Sequence, residues 1–134
     1  MNLKILTIAI FLLFAALLWK ANSYRKAVRL RQHEAHYQAT LVTYANDFKP
    51  GLTRAQVDDL LHTRNVSAEE AHLDSPTWDK FIKLGQEHSA RFCSHDDIDV
   101  RLHFTPSGPT PEAPASPTDQ LLTVTLFRWS RDCL

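Results

Sequence analysis

Residues 3 to 19 read Leu-Lys-Ile-Leu-Thr-Ile-Ala-Ile-Phe-Leu-Leu-Phe-Ala-Ala-Leu-Leu-Trp, and a helix built from them has no polar face. From Ile5 to Trp19 the only polar side-chain atoms are the Thr7 hydroxyl and the Trp19 indole N–H. A helix from Leu3 to Ala21 is about 28 Å long, close to the roughly 30 Å hydrocarbon core of a bilayer. Lys4 and Lys20 stand where their ammonium groups reach the two interfaces, and Trp19 stands where an interfacial aromatic is expected. The expectation is a transmembrane signal-anchor over residues 1–21, meeting the lipid bilayer through residues 3–21. The same residues also fit a cleaved secretory signal, with Ala21-Asn22-Ser23 as a small-x-small site. No Cys lies near residues 19 to 23, which excludes a lipid-modified cysteine as the anchor.

The formal net charge is zero but unevenly spread. Residues 20–54 carry seven Lys/Arg against Glu34 and Asp47, whereas residues 55–134 carry seven against thirteen Asp/Glu. A basic stretch following an apolar segment most simply meets anionic headgroups. No basic patch interleaves with aromatics, so no nucleic-acid partner is expected. The positive-inside rule, applied to Lys20, Arg25, Lys26, Arg29 and Arg31, would keep the C-terminal domain in the cytoplasm.

Residues 22 to 48 have helical periodicity and no Gly or Pro. Residues 22–39 are mostly polar and predict a basic helical stalk, with a small α+β domain over 40–134. Lys49-Pro50-Gly51 ends the helix, and Thr53 opens a second one as N-cap, with Gln56 completing the capping box and Leu52 and Val57 the hydrophobic staple. Val57, Leu60 and Leu61 form its buried stripe. Ser75-Pro76 is consistent with a short helix over Trp78, Phe81 and Ile82, but extended structure near Val66 and Ile82 is favoured.

Ile98, Val100, Leu102 and Phe104 alternate with Asp99, Arg101 and His103, which predicts a half-buried strand with Asp99 facing solvent. Leu122, Val124 and Leu126 alternate with threonines in a second strand. Five of the seven prolines lie in residues 105–119, predicting a long disordered hairpin loop whose PxxP-like spacings fit a solvated loop better than a recognition motif. If Val100 faces Leu126 and Leu102 faces Val124, then Phe104 faces Leu122 and the apolar faces coincide. The same register sets Cys93 against Cys133, while registers shifted by two residues either way would also match the faces. A disulfide there would contribute about 2–4 kcal/mol and would place the domain in an oxidising space such as the periplasm. The cysteines thus oppose the flanking charges on orientation. The reading taken is extracytoplasmic, because the register that joins the cysteines is chosen on the apolar faces and not on the cysteines.

The stretch Phe48-Lys49-Pro50-Gly51-Leu52-Thr53-Arg54-Ala55-Gln56-Val57-Asp58-Asp59-Leu60-Leu61 resembles the signature of the SmpA/OmlA (BamE-like) outer-membrane assembly lipoproteins, shared by β-lactamase inhibitory protein repeats. The resemblance implies two helices followed by a three-stranded antiparallel sheet. Phe92-Cys93-Ser94 and the closing Thr125-Leu126-Phe127-Arg128-Trp129 with Cys133-Leu134 also look like small bacterial exported proteins of this shape. Leu52 replaces the usual Met, His62 stands where a Gly commonly ends the second helix, and the lipidated Cys is missing. The motif is a helix start, so it implies a fold rather than an activity.

No convergent catalytic set emerges, and neither a metal nor a cofactor is expected. His33-Glu34-Ala35-His36 has i, i+3 spacing, whereas the zinc motif needs i, i+4. His88, His95, Asp96, Asp97 and Asp99 are explained by a turn leading into a strand. Asn65-Val66-Ser67 is a sequon, relevant only in a glycosylating pathway. Phe127 and Trp129 alternate onto the face opposite Leu126, so they become a binding surface if helices cover the Leu126 face alone. The sequence therefore reads as a membrane-anchored, non-enzymatic envelope interaction module with a protein partner. A small inhibitor- or sensor-like exported protein is the second reading, and a metal-dependent hydrolase the third.

Overall fold

The computed structural model describes residues 3–73, 77–89, 92–106 and 114–133, with side chains from residue 7 onward. The element order is α1 (Leu3–Asp47), α2 (Arg54–Thr63), β1 (Glu69–Ala71), β2 (Asp79–Glu87), β3 (His95–Thr105) and β4 (Gln120–Arg131). The chain forms two compact units, Met1–His36 and Tyr37–Leu134, and α1 contributes to both. The fold is α+β, as expected.

In the first unit the apolar residues from Ile8 to Trp19 are exposed all round the helix. A window of this helix reaches a mean hydropathy of 1.4 with none of it buried, so α1 is long and apolar enough to cross a membrane once. Trp19 and Lys20 are exposed; the side chain of Lys4 lies outside the described residues. Helix continues without a break through Ala21-Asn22-Ser23, where the Ser23 hydroxyl donates to the Trp19 carbonyl at 2.9 Å.

In the second unit, Tyr37, Leu41, Tyr44 and Phe48 recur at four- and three-residue steps, one face of α1. Tyr37 and Phe48 are buried, and Leu41 and Tyr44 pack against the core. Gly51 turns the chain with φ +92°, a left-handed conformation that disfavours a β-carbon. Its N–H donates to the Leu121 carbonyl and Leu121 N–H returns a bond to Leu52, both at 2.8 Å, stitching the turn to the start of β4. Thr53 caps α2 with a reciprocal box: Thr53 N–H donates to Gln56 Oε1 at 2.9 Å, and Gln56 N–H to Thr53 Oγ1 at 3.3 Å. Helix α2 ends in a Schellman pattern, with Asn65 at φ 54° donating to the His62 carbonyl and Val66 to the Leu61 carbonyl. The left-handed residue that ends α2 is thus Asn65, while His62 lies within the helix.

The sheet has order β1-β2-β3-β4, antiparallel throughout. Four strands replace the expected three. The extra one, β1, contains Glu69, Glu70 and Ala71, and extended structure begins there rather than at Val66. The residues near Ile82 are strand β2, and Ser75-Pro76 lies outside the described residues. Between β3 and β4, Val100 faces Leu126 and Leu102 faces Val124, but a bulge between His103 and Phe104 sets Phe104 against Leu121. The expected Phe104–Leu122 pairing is therefore corrected: Leu121 is buried and Leu122 is exposed.

Helices α1 and α2 cover one sheet face, where Phe48, Val57, Leu61, Ile82, Val100, Leu102, Phe104 and Leu121 form the core. Residues 114–119, expected to be disordered, dock on the start of α2: Arg54 N–H donates to the Asp119 carbonyl and Ala55 N–H to the Pro117 carbonyl. Residues 107–113 of that loop lie outside the described residues. Cys93 and Cys133 are joined by a disulfide.

Candidate functional site

Odd-numbered residues of β3 from His95 to His103, and of β4 from Thr123 to Arg131, point away from the helices. Asp97 faces Trp129, Asp99 faces Phe127, and Arg101 faces Thr125. From β2, Phe81 faces Arg101 and Lys83 faces Asp99. This outer face is not a polar, solvated surface. Phe81 is buried there, its ring 5.4 Å from Phe127 and 5.9 Å from Trp129. The Arg101 guanidinium lies 5.4 Å from the Phe127 ring centre and that of Arg131 3.4 Å from the Trp129 ring centre, so a cation flanks each aromatic. Phe127 and Trp129 are half-buried, covered by these neighbours rather than fully open. Trp78 is partly exposed against His72, and Phe92 is exposed.

Asp97 and Asp99 are both buried, which corrects the expectation that Asp99 faces solvent. Alternation assigns a side chain to a face; it does not say what covers that face. Here Phe81 and the long stems of Lys83 and Arg131 wall in the carboxylates, and with Ser67 and Glu69 they line a cleft of about 220 Å³. Asp97 accepts from Lys83 Nζ at 2.8 Å, Gln86 Nε2 at 3.0 Å and Arg131 Nε at 3.0 Å, and His95 Nε2 lies 3.4 Å away. Burial pushes the Asp97 carboxyl up, but the hydrogen bonds from Lys83, Gln86 and Arg131 outweigh it and hold it at about 2. Asp99 has the reverse balance: burial pushes its carboxyl up, the negative charge of Asp97 adds to that, and Lys83 and Arg131 only partly compensate.

These two shifts give stability opposite pH dependences. The folded-state pKa of Asp97 is depressed, so its contribution is present above about pH 4 and is lost as pH falls toward 2. That of Asp99 is raised, so its ionisation in the fold costs stability at neutral pH, and the cost is relieved as pH falls through its titration range. The Asp97 shift amounts to at most about 2 kcal/mol, reduced to about 1 by solvent reaching the cleft. We expect the thermal midpoint to rise from neutral to mildly acidic pH and to drop below about pH 4. The Asp99→Asn variant should lose the neutral-side slope and Asp97→Asn should lose most of the acid-side drop. Superimposable profiles for all three proteins would contradict the assignment.

A second charged cluster is buried beside α2. Arg54 Nη1 pairs with Glu70 at 3.0 Å, Nη2 donates to the Trp78 carbonyl, Nε lies 3.5 Å from Asp119, and the guanidinium stacks 4.1 Å from the Phe104 ring centre. Lys80 Nζ bridges Glu70 at 2.6 Å and Asp58 at 2.8 Å. The hydrogen bond from Lys80 is the main cause that lowers the Glu70 carboxyl, with burial opposing and Arg54 assisting. The cluster ties β1 and β2 to α2, although Arg54 Nε, 3.5 Å from Asp119, makes no hydrogen bond.

Among the described residues no three His, Cys, Asp or Glu side chains gather to hold a metal ion. Asn65 of the sequon is exposed and serves as the left-handed cap described above. The geometry sets Cys93 with Cys133, Thr53 with Gln56, and Phe127 beside Trp129 across Phe81. The Asp97–Asp99 cleft had no distinct sequence signal beyond the alternation. No family model, curated protein or solved structure matches this chain.

Proposed function

We propose that this chain is a membrane-anchored, extracytoplasmic binding module of SmpA/OmlA (BamE-like) type that acts through contact rather than catalysis. The observation that carries the reading is the outer face of the sheet. A two-layer domain completes its core on the helix-covered side, and the other face of such a sheet is normally polar. Here that face carries three aromatic rings and two stacked guanidiniums, residue types enriched at the energetic centres of protein interfaces. The exposed apolar stretch of α1 supports anchorage, and the Cys93–Cys133 bond supports an oxidising compartment. The backbone bonds of Gly51, Leu52 and Arg54 to Asp119 and Leu121 support the reading, because they tie the turn that carries the resemblance to the start of the last strand.

Two measurements test the proposal. A reporter active only outside the cytoplasm, fused after Leu134, should be active; an inactive fusion would reverse the compartment. A photo-crosslinking residue at position 127 or 129 should give a discrete protein adduct in intact cells, whereas one at Asp59, on the exposed side of α2, should not. Equal labelling at all three positions, or none, would remove the outer face as the binding surface.

A further inference from the structure

The cleft on the outer face carries one carboxylate too many. Glu69, Asp97 and Asp99 face Lys83 and Arg131. Lys83 sits opposite Asp99 in the strand register, yet its ammonium turns to Asp97 at 2.8 Å. Arg131 is shared between Asp97 at 3.0 Å and Glu69 at 3.5 Å. Both cations are therefore engaged elsewhere. Asp99 is 4% exposed, lines the cleft, and takes no hydrogen bond or ion pair from any described residue. With no donor among the described residues, its carboxylate oxygens open only to the cleft, and a largely buried carboxylate in that position calls for an explanation.

We infer that the cleft is a receptor for a primary ammonium group on a flexible aliphatic stem, a lysine side chain of the partner polypeptide, with Asp99 as its counter-ion. A cation is the ligand that removes the excess charge. The cleft volume of about 220 Å³ accommodates one aliphatic side chain with its head group. The Phe81 ring forms part of the wall and gives an apolar surface to the methylenes, as long cationic side chains require. A divalent ion fits less well, because Lys83 and Arg131 already border the carboxylates and would repel a second charge. The raised Asp99 carboxyl accords with a site waiting for a positive group, though the geometry stands without it. This inference deepens the binding-module reading by naming the chemistry the outer face selects, and it can be tested without the partner.

The experiment uses the full chain in detergent micelles, with aspartate carboxyl carbons labelled for NMR. Nα-acetyl-lysine N-methylamide is titrated in, against its Nε-acetylated counterpart and O-phosphoethanolamine. The lysine amide should shift the Asp99 carboxyl saturably, and the acetylated form should produce less than a tenth of that shift at equal concentration. Asp99→Asn should abolish saturable shifts at the remaining cleft resonances while the variant still unfolds cooperatively, with a midpoint at neutral pH no lower than that of the wild type. Should that variant misfold, Lys83→Gln provides the second arm: it removes a competing cation and should tighten lysine binding several-fold. Equal response to the acetylated probe, no saturable response, or unchanged affinity in Lys83→Gln would overturn the proposal. Stronger binding of phosphoethanolamine would overturn it in favour of a lipid headgroup. Failure here with a discrete crosslink at residue 127 or 129 would leave the binding face standing and remove only its lysine selectivity.

Discussion

Replacing Asp79 by alanine is expected to lower the stability of the Tyr37–Leu134 unit by about 3–5 kcal/mol, enough to unfold much of it. Asp79 is 1% exposed at the start of β2. Its carboxylate receives Arg101 Nε at 2.7 Å and Nη2 at 2.6 Å, a two-pronged pair, and lies 3.0 Å from His103 Nδ1. It also accepts from the Phe104 N–H at 3.2 Å and the Thr77 hydroxyl at 3.3 Å. Phe104 lies beside the β3 bulge, where the regular ladder is interrupted, so Asp79 supplies an acceptor that the strand itself does not. Alanine would take the carboxylate away from a largely buried guanidinium and from a buried backbone N–H. The neutral Asp79→Asn keeps an acceptor and should cost less, about 1–3 kcal/mol. Urea unfolding followed by Trp78 and Trp129 fluorescence measures both. A loss under 1 kcal/mol for the alanine variant would show that Arg101 finds another acceptor.

Opening the Cys93–Cys133 bond is expected to cost about 2–4 kcal/mol. The bond closes the open end of the β3–β4 hairpin at a sequence separation of 40. Next to it the ladder is reinforced by Ser94 N–H and Oγ donating to the Arg131 carbonyl at 3.0 and 3.2 Å. Without the bond, β4 frays from Arg131 inward, and the Arg131–Trp129 stack on the outer face goes with it. For a domain of about 100 residues each kcal/mol moves the midpoint by about 4–8 °C, so a fall of about 10–30 °C is the expected reading. The Cys93→Ser/Cys133→Ser variant and the reduced wild type should agree. A midpoint insensitive to reductant would mean that the hairpin end is held by its hydrogen bonds alone.

What the sequence made legible follows from which interactions leave a periodic trace. Ile98 to Phe104 and Val124 to Leu126 alternate, and that alternation narrows the register to a few that match the faces, one of which brings Cys93 to Cys133 and is the one the sheet adopts. The alternation broke at Leu121 and Leu122, because two adjacent leucines look alike in an alternating pattern and a bulge selects between them by geometry alone. Strand β1 was missed since Glu69, Glu70 and Ala71 have no apolar rhythm. It is held by ladder pairing to β2 and by the Glu70 contacts with Lys80 and Arg54, partners far away in sequence. The outer face was legible as a face, through Phe127 and Trp129. That Asp97 and Asp99 are buried on it was not, because their cover comes from Phe81, Lys83 and Arg131 on other strands. Thr53 and Gln56 were legible because capping is local.

The ring closed by Cys93 and Cys133 encloses the whole proline-rich stretch between β3 and β4. The peptide connection through residues 106–119 is therefore redundant as a tether: a protease nick there would leave two fragments on one covalent frame, separable only after reduction. Pro117 and Asp119 are committed to the start of α2 through their carbonyls, and Asp119 also bonds back to Ser116.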